Sequence, residues 1–204
     1  MVPTATEALD GRRLRGQRSR AAVATAALDL ICEGNLLPTA ADIAARADVS
    51  LRSVFHHFDD MDSLYQTVFR MQSEELAPLL TDRVTAALPI AQRIPEFVRQ
   101  RAAYLDGMLQ VFRAAQLVAT TSPAIADHLQ ASCAVLRNQV TSLFEGDLAC
   151  FRPAERRERL IAMQAATTFS AWETLRVEMD LDAETARNVL KRELRCQLAP
   201  TSPR

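Results

Sequence analysis

Thr39-Ala-Ala-Asp-Ile-Ala-Ala-Arg-Ala-Asp-Val-Ser-Leu-Arg-Ser-Val-Phe-His-His-Phe58 decides how the chain folds. Thr39 can cap the free N–H groups of a short helix, and Asp42 can reach back to complete a weak capping box. That helix ends near Ala47. Asp48-Val49 make a tight turn, and Ser50 is a suitable N-cap for a second short helix through about His57. Ile43, Ala44 and Ala47 place small and branched apolar groups on one face, Val49 plugs the turn, and Val54 and Phe58 hold the second helix inward. Small residues at the crossing let two helices approach closely, as a helix-turn-helix requires. Ser50, Leu51, Arg52, Ser53, Phe55, His56 and His57 are left for the outer face.

Upstream, Val23, Ala26, Ala27, Leu30 and Ile31 repeat as one apolar stripe of a preceding helix. Gly34-Asn35 end it as a C-terminal cap. Residues 1–15 show no apolar period and are expected to be a disordered arm, with the helix starting near 16. Arg12, Arg13, Arg15, Arg18 and Arg20 fall in a stretch without acids. Such a run is either a solvated tail or an arm that meets phosphates.

Downstream the pattern is helical throughout. Asp60 caps a fourth helix from Met61, with Leu64, Val68 and Met71 on its stripe, and Pro78 and Pro89 interrupt or end it. A helix from Pro95 to about Val118, bent near Gly107, should follow. Ser122-Pro123 opens another, with Ile125, Leu129, Ser132, Leu136, Val140 and Leu143 in phase. Pro153 begins a helix to about Met179, with Leu160, Ile161, Ala165, Thr168, Trp172 and Leu175 on one side. Asp182 caps a last helix ending near Leu198. The expected fold is all-α, about nine helices: a disordered arm (1–15), a helix-turn-helix domain (16–60, motif 39–58), a helical domain (61–198) and a disordered tail (199–204).

The 204 residues carry a net charge of −1, with 49% hydrophobic and 24% charged residues. This is ordinary globular composition. No apolar run of about 18 residues suggests a membrane span, and no signal peptide is seen, so a cytoplasmic chain is expected. Cys32, Cys133, Cys150 and Cys196 form no CxxC pair, and His56, His57 and His128 have no ligand spacing, so neither metal nor cofactor is expected. No glycine-rich phosphate loop, nucleophile elbow or HExxH occurs, which argues against an enzyme.

The helix-turn-helix segment resembles the DNA-binding domain of the TetR (tetracycline-repressor-like, TetR/AcrR) family. Thr39, Ile43, Ala44, Ala47, Val49, Ser50, His57, Phe58 and Leu64 match that family's pattern without a gap, over residues 16 to about 70. Three positions depart from it. Asp48 replaces a turn glycine, Phe55 a tyrosine that often donates to phosphate, and Met61 a lysine, with Asp59, Asp60 and Asp62 around it.

The resemblance implies a regulator that binds double-stranded operator DNA and carries a C-terminal effector-binding and dimerising domain. A homodimer through the last two helices and a palindromic operator are expected, with repression relieved by a small effector; a hydrophobic effector is mildly preferred. Arg18 would meet phosphate. Thr39 and its neighbouring N–H groups would bind a phosphate, Arg52 a guanine edge or a phosphate, Ser50 and Ser53 a phosphate or base, with Leu51 and Phe55 on the same face. His56 and His57 would flank the backbone, or His57 would be partly packed. Met108, Phe112, Leu136, Phe144, Phe169 and Trp172 are pocket candidates whose ordinary alternative is core packing. The alternative function is a TetR-like ligand-binding protein with weak or lost operator binding.

Overall fold

The computed structural model describes residues 5–81 and 84–199, with side chains for 16–80 and 84–199. Among the described residues there are ten α-helices and no strand. They are α1 (Ala5–Cys32), α2 (Ala40–Arg46), α3 (Leu51–His57), α4 (Met61–Leu76), α5 (Pro78–Thr81), α6 (Ile90–Ala119), α7 (Pro123–Phe144), α8 (Pro153–Ala166), α9 (Phe169–Glu173) and α10 (Ala183–Leu198). No described helix is long and apolar enough to cross a membrane.

The chain forms two compact units. The first comprises residues 1–73 and 110–126, the second residues 74–109 and 127–204. A boundary at 60/61 is therefore too early. Leu64, Tyr65, Val68 and Phe69 of α4 are buried, and that apolar stripe belongs to the core of the first unit.

In the first unit α1 packs on α2 and α3, and α2 on α3. Val23, Ala27, Ile31, Ile43 and Val54 are fully buried. The α1 helix starts at Ala5 rather than near residue 16. Residues 5–15 contain helix formers (Ala, Glu, Leu, Arg) and one glycine, whose cost of about 1 kcal/mol does not stop a helix. The tail at 200–204 lies outside the described residues.

Two helix ends in this unit use the same device. After α1, Asn35 N–H donates to Leu30 C=O and Gly34 N–H to Ile31 C=O, both at 3.0 Å, with Gly34 at φ 102°. After α2, Val49 N–H donates to Ala44 C=O at 3.0 Å and Asp48 N–H to Ala45 C=O at 3.4 Å, with Asp48 at φ 53°. Both are Schellman ends, which need one residue in the left-handed region. Glycine supplies it in one, and aspartate, which tolerates it, in the other.

In the second unit Phe97 packs edge-on against Phe144, with centroids 5.3 Å apart, and Tyr104 against Phe169 at 5.9 Å. α8 packs on α10. Arg101, 1% exposed, donates to Thr167 C=O at 2.8 Å, Leu136 C=O at 2.9 Å and Gln139 Oε1 at 2.8 Å. Burial pushes its pKa down to about 10, so it stays charged at neutral pH and is solvated by these oxygens.

The later helices also differ from expectation. α6 begins at Ile90 with Pro95 inside it, and it runs unbroken through Gly107. A Cβ at Gly107 would lie 2.8 Å from Leu76 Cδ1, so this glycine gives room to a neighbour rather than a bend. The helix expected over 153–179 breaks at Thr167 and Thr168. Thr168 caps α9 through Ala171 N–H at 3.2 Å, and residues Thr174–Glu178 then form a π-helical turn. Across the break, Met163, Phe169 and Trp172 are buried while Ile161 is 51% exposed. The side drawn from Leu160 and Ile161 through Trp172 is therefore not one continuous buried face.

Candidate DNA-binding surface

Local hydrogen bonds position the helix-turn-helix. Asp42 N–H donates to Thr39 Oγ1 at 3.2 Å, and Thr39 N–H donates to Asp42 Oδ2 at 2.9 Å. The capping box is complete. Thr39 Oγ1 also donates to Asp42 Oδ2 at 2.7 Å, and these bonds hold the Asp42 carboxyl below its ordinary pKa. Both donors of Thr39 are thus taken by an anion. A phosphate at this helix start would meet the N–H groups of Ala40 and Ala41 and would also face the Asp42 charge.

Ser50 caps α3 by accepting from Ser53 N–H at 3.1 Å, and its Oγ lies 3.1 Å from Ser53 Oγ. One turn on, the helix is two-sided. Val54 is fully buried and Phe58 is 3% exposed, whereas Leu51 and Phe55 are 48% and 49% exposed. Arg52 and His56 are exposed, and Ser53 and His57 are half-buried. The seven residues from Ser50 to His57 singled out in the sequence are thus gathered on or beside one short helix. Arg18 is exposed on α1.

Two buttressing residues were not singled out for these roles. Arg20 donates to His57 C=O, lies 4.2 Å above the Phe58 ring centroid and reaches Thr67 Oγ1 at 3.4 Å. It satisfies a carbonyl at the C-terminal end of α3 with a cation, the charge that end favours. Its position three residues before Val23 puts it at the edge of the buried stripe, which was the available signal. Tyr65, buried on α4, donates to Pro38 C=O at 3.1 Å and so holds the chain leading into α2; burial pushes its pKa up to about 12. No sequence pattern pairs those two.

Charge on this unit is mixed. Burial lowers the pKa of His57, and the positive fields of His56 and Arg20 lower it further. Arg46 is held in an ion pair with Glu33 at 2.5 Å. Asp60 accepts from Ser63 N–H at 2.8 Å, capping α4, and Asp62 accepts from Gln66 Nε2 at 2.8 Å. Met61 lies half-buried between these acids.

The pocket candidates Met108, Phe112, Leu136, Phe144, Phe169 and Trp172 are all buried, none more than 6% exposed. Trp172 donates its indole N–H to Asp106 Oδ1 at 2.9 Å. An open groove of about 440 Å³ in the second unit has other walls, including Ala165, Thr168, Ala171, Leu175 and Val189. Among the described residues no group of three or more His, Cys, Asp or Glu could hold a metal ion.

No protein-family model matches the sequence, and no curated protein is similar to it in sequence. Solved structures are similar in fold. A transcriptional regulator from Rhodococcus sp. superposes with a TM-score of 0.70 at 21% identity, covering 88% of this chain and 95% of that one. A TetR-family transcriptional regulator from Streptomyces coelicolor gives 0.70 at 17% identity, covering 89% and 80%. The multidrug binding protein EbrR, complexed with imidazole, gives 0.57 at 22% identity, covering 90% of each. The chain has the fold of TetR-family transcriptional regulators: an N-terminal helix-turn-helix followed by helices.

Proposed function

We propose that this chain is a DNA-binding transcriptional regulator, a dimeric repressor released from a palindromic operator by a small-molecule effector. The observation that carries this is the two-sided α3. Its inner face is locked by Val54, Phe58 and Arg20, while Leu51, Arg52, Phe55 and His56 face outward. A short helix held rigidly with one free face is what entry into a major groove requires.

Arg52 is the long cation of that face and takes a guanine edge or a phosphate. Arg18, Ser50, Ser53 and the N–H groups after Thr39 line the backbone, and His56 and His57 flank it. The half-exposed Ile161 of α8 and Val189 of α10 offer an apolar surface on two packed helices. Paired with a second copy, they form an isologous four-helix interface. The effector acts by favouring a spacing of the two reading heads that no longer fits the operator. A site among the apolar side chains of the second unit, Met108, Leu136, Phe144, Phe169 and Trp172, would take a hydrophobic one.

Specific observations favour a second function, a ligand-binding protein with weak or lost operator affinity. Thr39 gives its donors to Asp42, Arg46 is paired with Glu33, and Met61 sits among Asp59, Asp60 and Asp62. Each makes this unit less attractive to phosphate, by occupying donors, pairing a cation or surrounding an apolar residue with acids. Salt-dependent binding of the purified chain to DNA flanking its own gene separates the two. A specific site whose affinity falls with salt, and is weakened or relaxed by Arg52→Ala, supports the repressor. A flat response without a specific site supports the second function.

A further inference from the structure

The outward face of α3 is poor in hydrogen-bonding groups and rich in apolar surface. Leu51 and Phe55 are 48% and 49% exposed, although the inner face of the same helix already has its core residues in Val54 and Phe58. Ser50 Oγ accepts from Ser53 N–H and the two hydroxyls bond to each other, which leaves one hydroxyl hydrogen at the N-terminal end of the helix. Beyond it, Arg52 and His56 are the exposed polar side chains of the helix.

Leu51 and Phe55 are four residues apart, so they stand on one face with Cβ atoms about 5–6 Å apart. Base pairs in a duplex stack about 3.4 Å apart. Two side chains at this separation meet base edges one or two steps apart. On the major-groove floor the one apolar group is the 5-methyl of thymine, and it is read by apolar contact. Arg52, about 100° round the helix, supplies the cation that keeps the helix seated against the duplex.

We propose that Leu51 and Phe55 read the 5-methyl groups of two thymines, one or two base steps apart in each half-site, so that apolar contact and not hydrogen bonding carries much of the sequence preference. This rests on the DNA-binding function above. Each methyl buried is worth about a fourfold change in affinity.

The full-length protein is used to select its preferred duplex from a random pool, and the selected duplex is resynthesised with deoxyuridine in place of each thymidine in turn. Deoxyuridine pairs as thymidine does and lacks only the methyl. The expected result is about fourfold weaker binding at two positions per half-site. Phe55→Ala should bind the thymidine and deoxyuridine duplexes equally at one of these positions, and Leu51→Ala at the other. Both residues lie outside the core, and unfolding curves show whether each variant is folded. The DNA substitution stands without any variant.

If a specific duplex is selected but every deoxyuridine duplex binds as the parent does, the methyl-reading proposal is overturned and the DNA-binding function stands. The same holds if both alanine variants keep the full difference. If no duplex is enriched, the DNA-binding function fails and this proposal with it.

Discussion

The guanidinium of Arg20 lies 4.2 Å above the ring centroid of Phe58, while the same group donates to the carbonyl of His57. A residue on the first helix thereby closes the far end of α3. Arg20→Ala removes a cation–π contact and a charged hydrogen bond to a helix-terminal carbonyl. A loss of about 1–2 kcal/mol is expected in urea unfolding. Arg20→Lys should recover part of it, since lysine keeps the charge and lacks the planar fork. Full stability in Arg20→Ala would show the contact to be idle.

Asp48 turns the chain between α2 and α3 at φ 53°. Asp48→Gly relieves that conformation and should raise stability by up to about 1 kcal/mol. Asp48→Val, branched where φ is positive, should lower it by about 1–3 kcal/mol. Urea midpoints of the two variants moving in the same direction would contradict this account of the turn.

Thr39→Ala should cost about 1 kcal/mol by breaking the capping box. Asp42→Asn tests the electrostatic side. It removes an anion from the start of α2, so it should tighten binding to nonspecific duplex DNA about threefold at low salt, with the gain fading as salt screens it. Fluorescence anisotropy titrations at several salt concentrations measure both effects, and a gain that survives high salt would point to another cause.

His57 has its pKa lowered, by burial first and by His56 and Arg20 second. The unfolded chain therefore takes up a proton at higher pH than the folded one. The stability associated with a neutral His57 is fully present above the unfolded value of about 6.5 and is lost as pH falls through the folded pKa. NMR titration should give a His57 midpoint below 6.5, and His57→Gln should flatten the stability profile in that window. A midpoint at or above the ordinary value would remove His57 as a source of the acid slope.

Arg101 is a buried cation facing three oxygens: Thr167 C=O, Leu136 C=O and Gln139 Oε1. Arg101→Ala leaves those acceptors buried without a donor and should cost about 3 kcal/mol or more. Arg101→Met fills the space and should cost less. Equal losses in calorimetry would mean that volume, and not hydrogen bonding, is what Arg101 supplies.

Within the sequence itself, what could be read was what depends on neighbours three to five residues away. The caps at Thr39, Ser50, Asp60 and Asp182 all form, because a cap joins a side chain to the backbone one turn ahead. The division of α3 into an inner face at Val54 and Phe58 and an outer face at Leu51 and Phe55 follows from helical phase. The left-handed residue at position 48 follows from the turn. Folding in three dimensions settled the rest. Arg20 meets His57 across 37 residues, Tyr65 meets Pro38 across 27, and Arg101 meets Thr167 across 66. Composition and periodicity carry no record of such pairs, since an arginine on a helix looks the same whether its partner is water or a distant carbonyl. The break at Thr167 and Thr168 belongs with these. A helical pattern passes through it, although Thr168 caps the helix that follows and Phe169 and Trp172 are buried just beyond it.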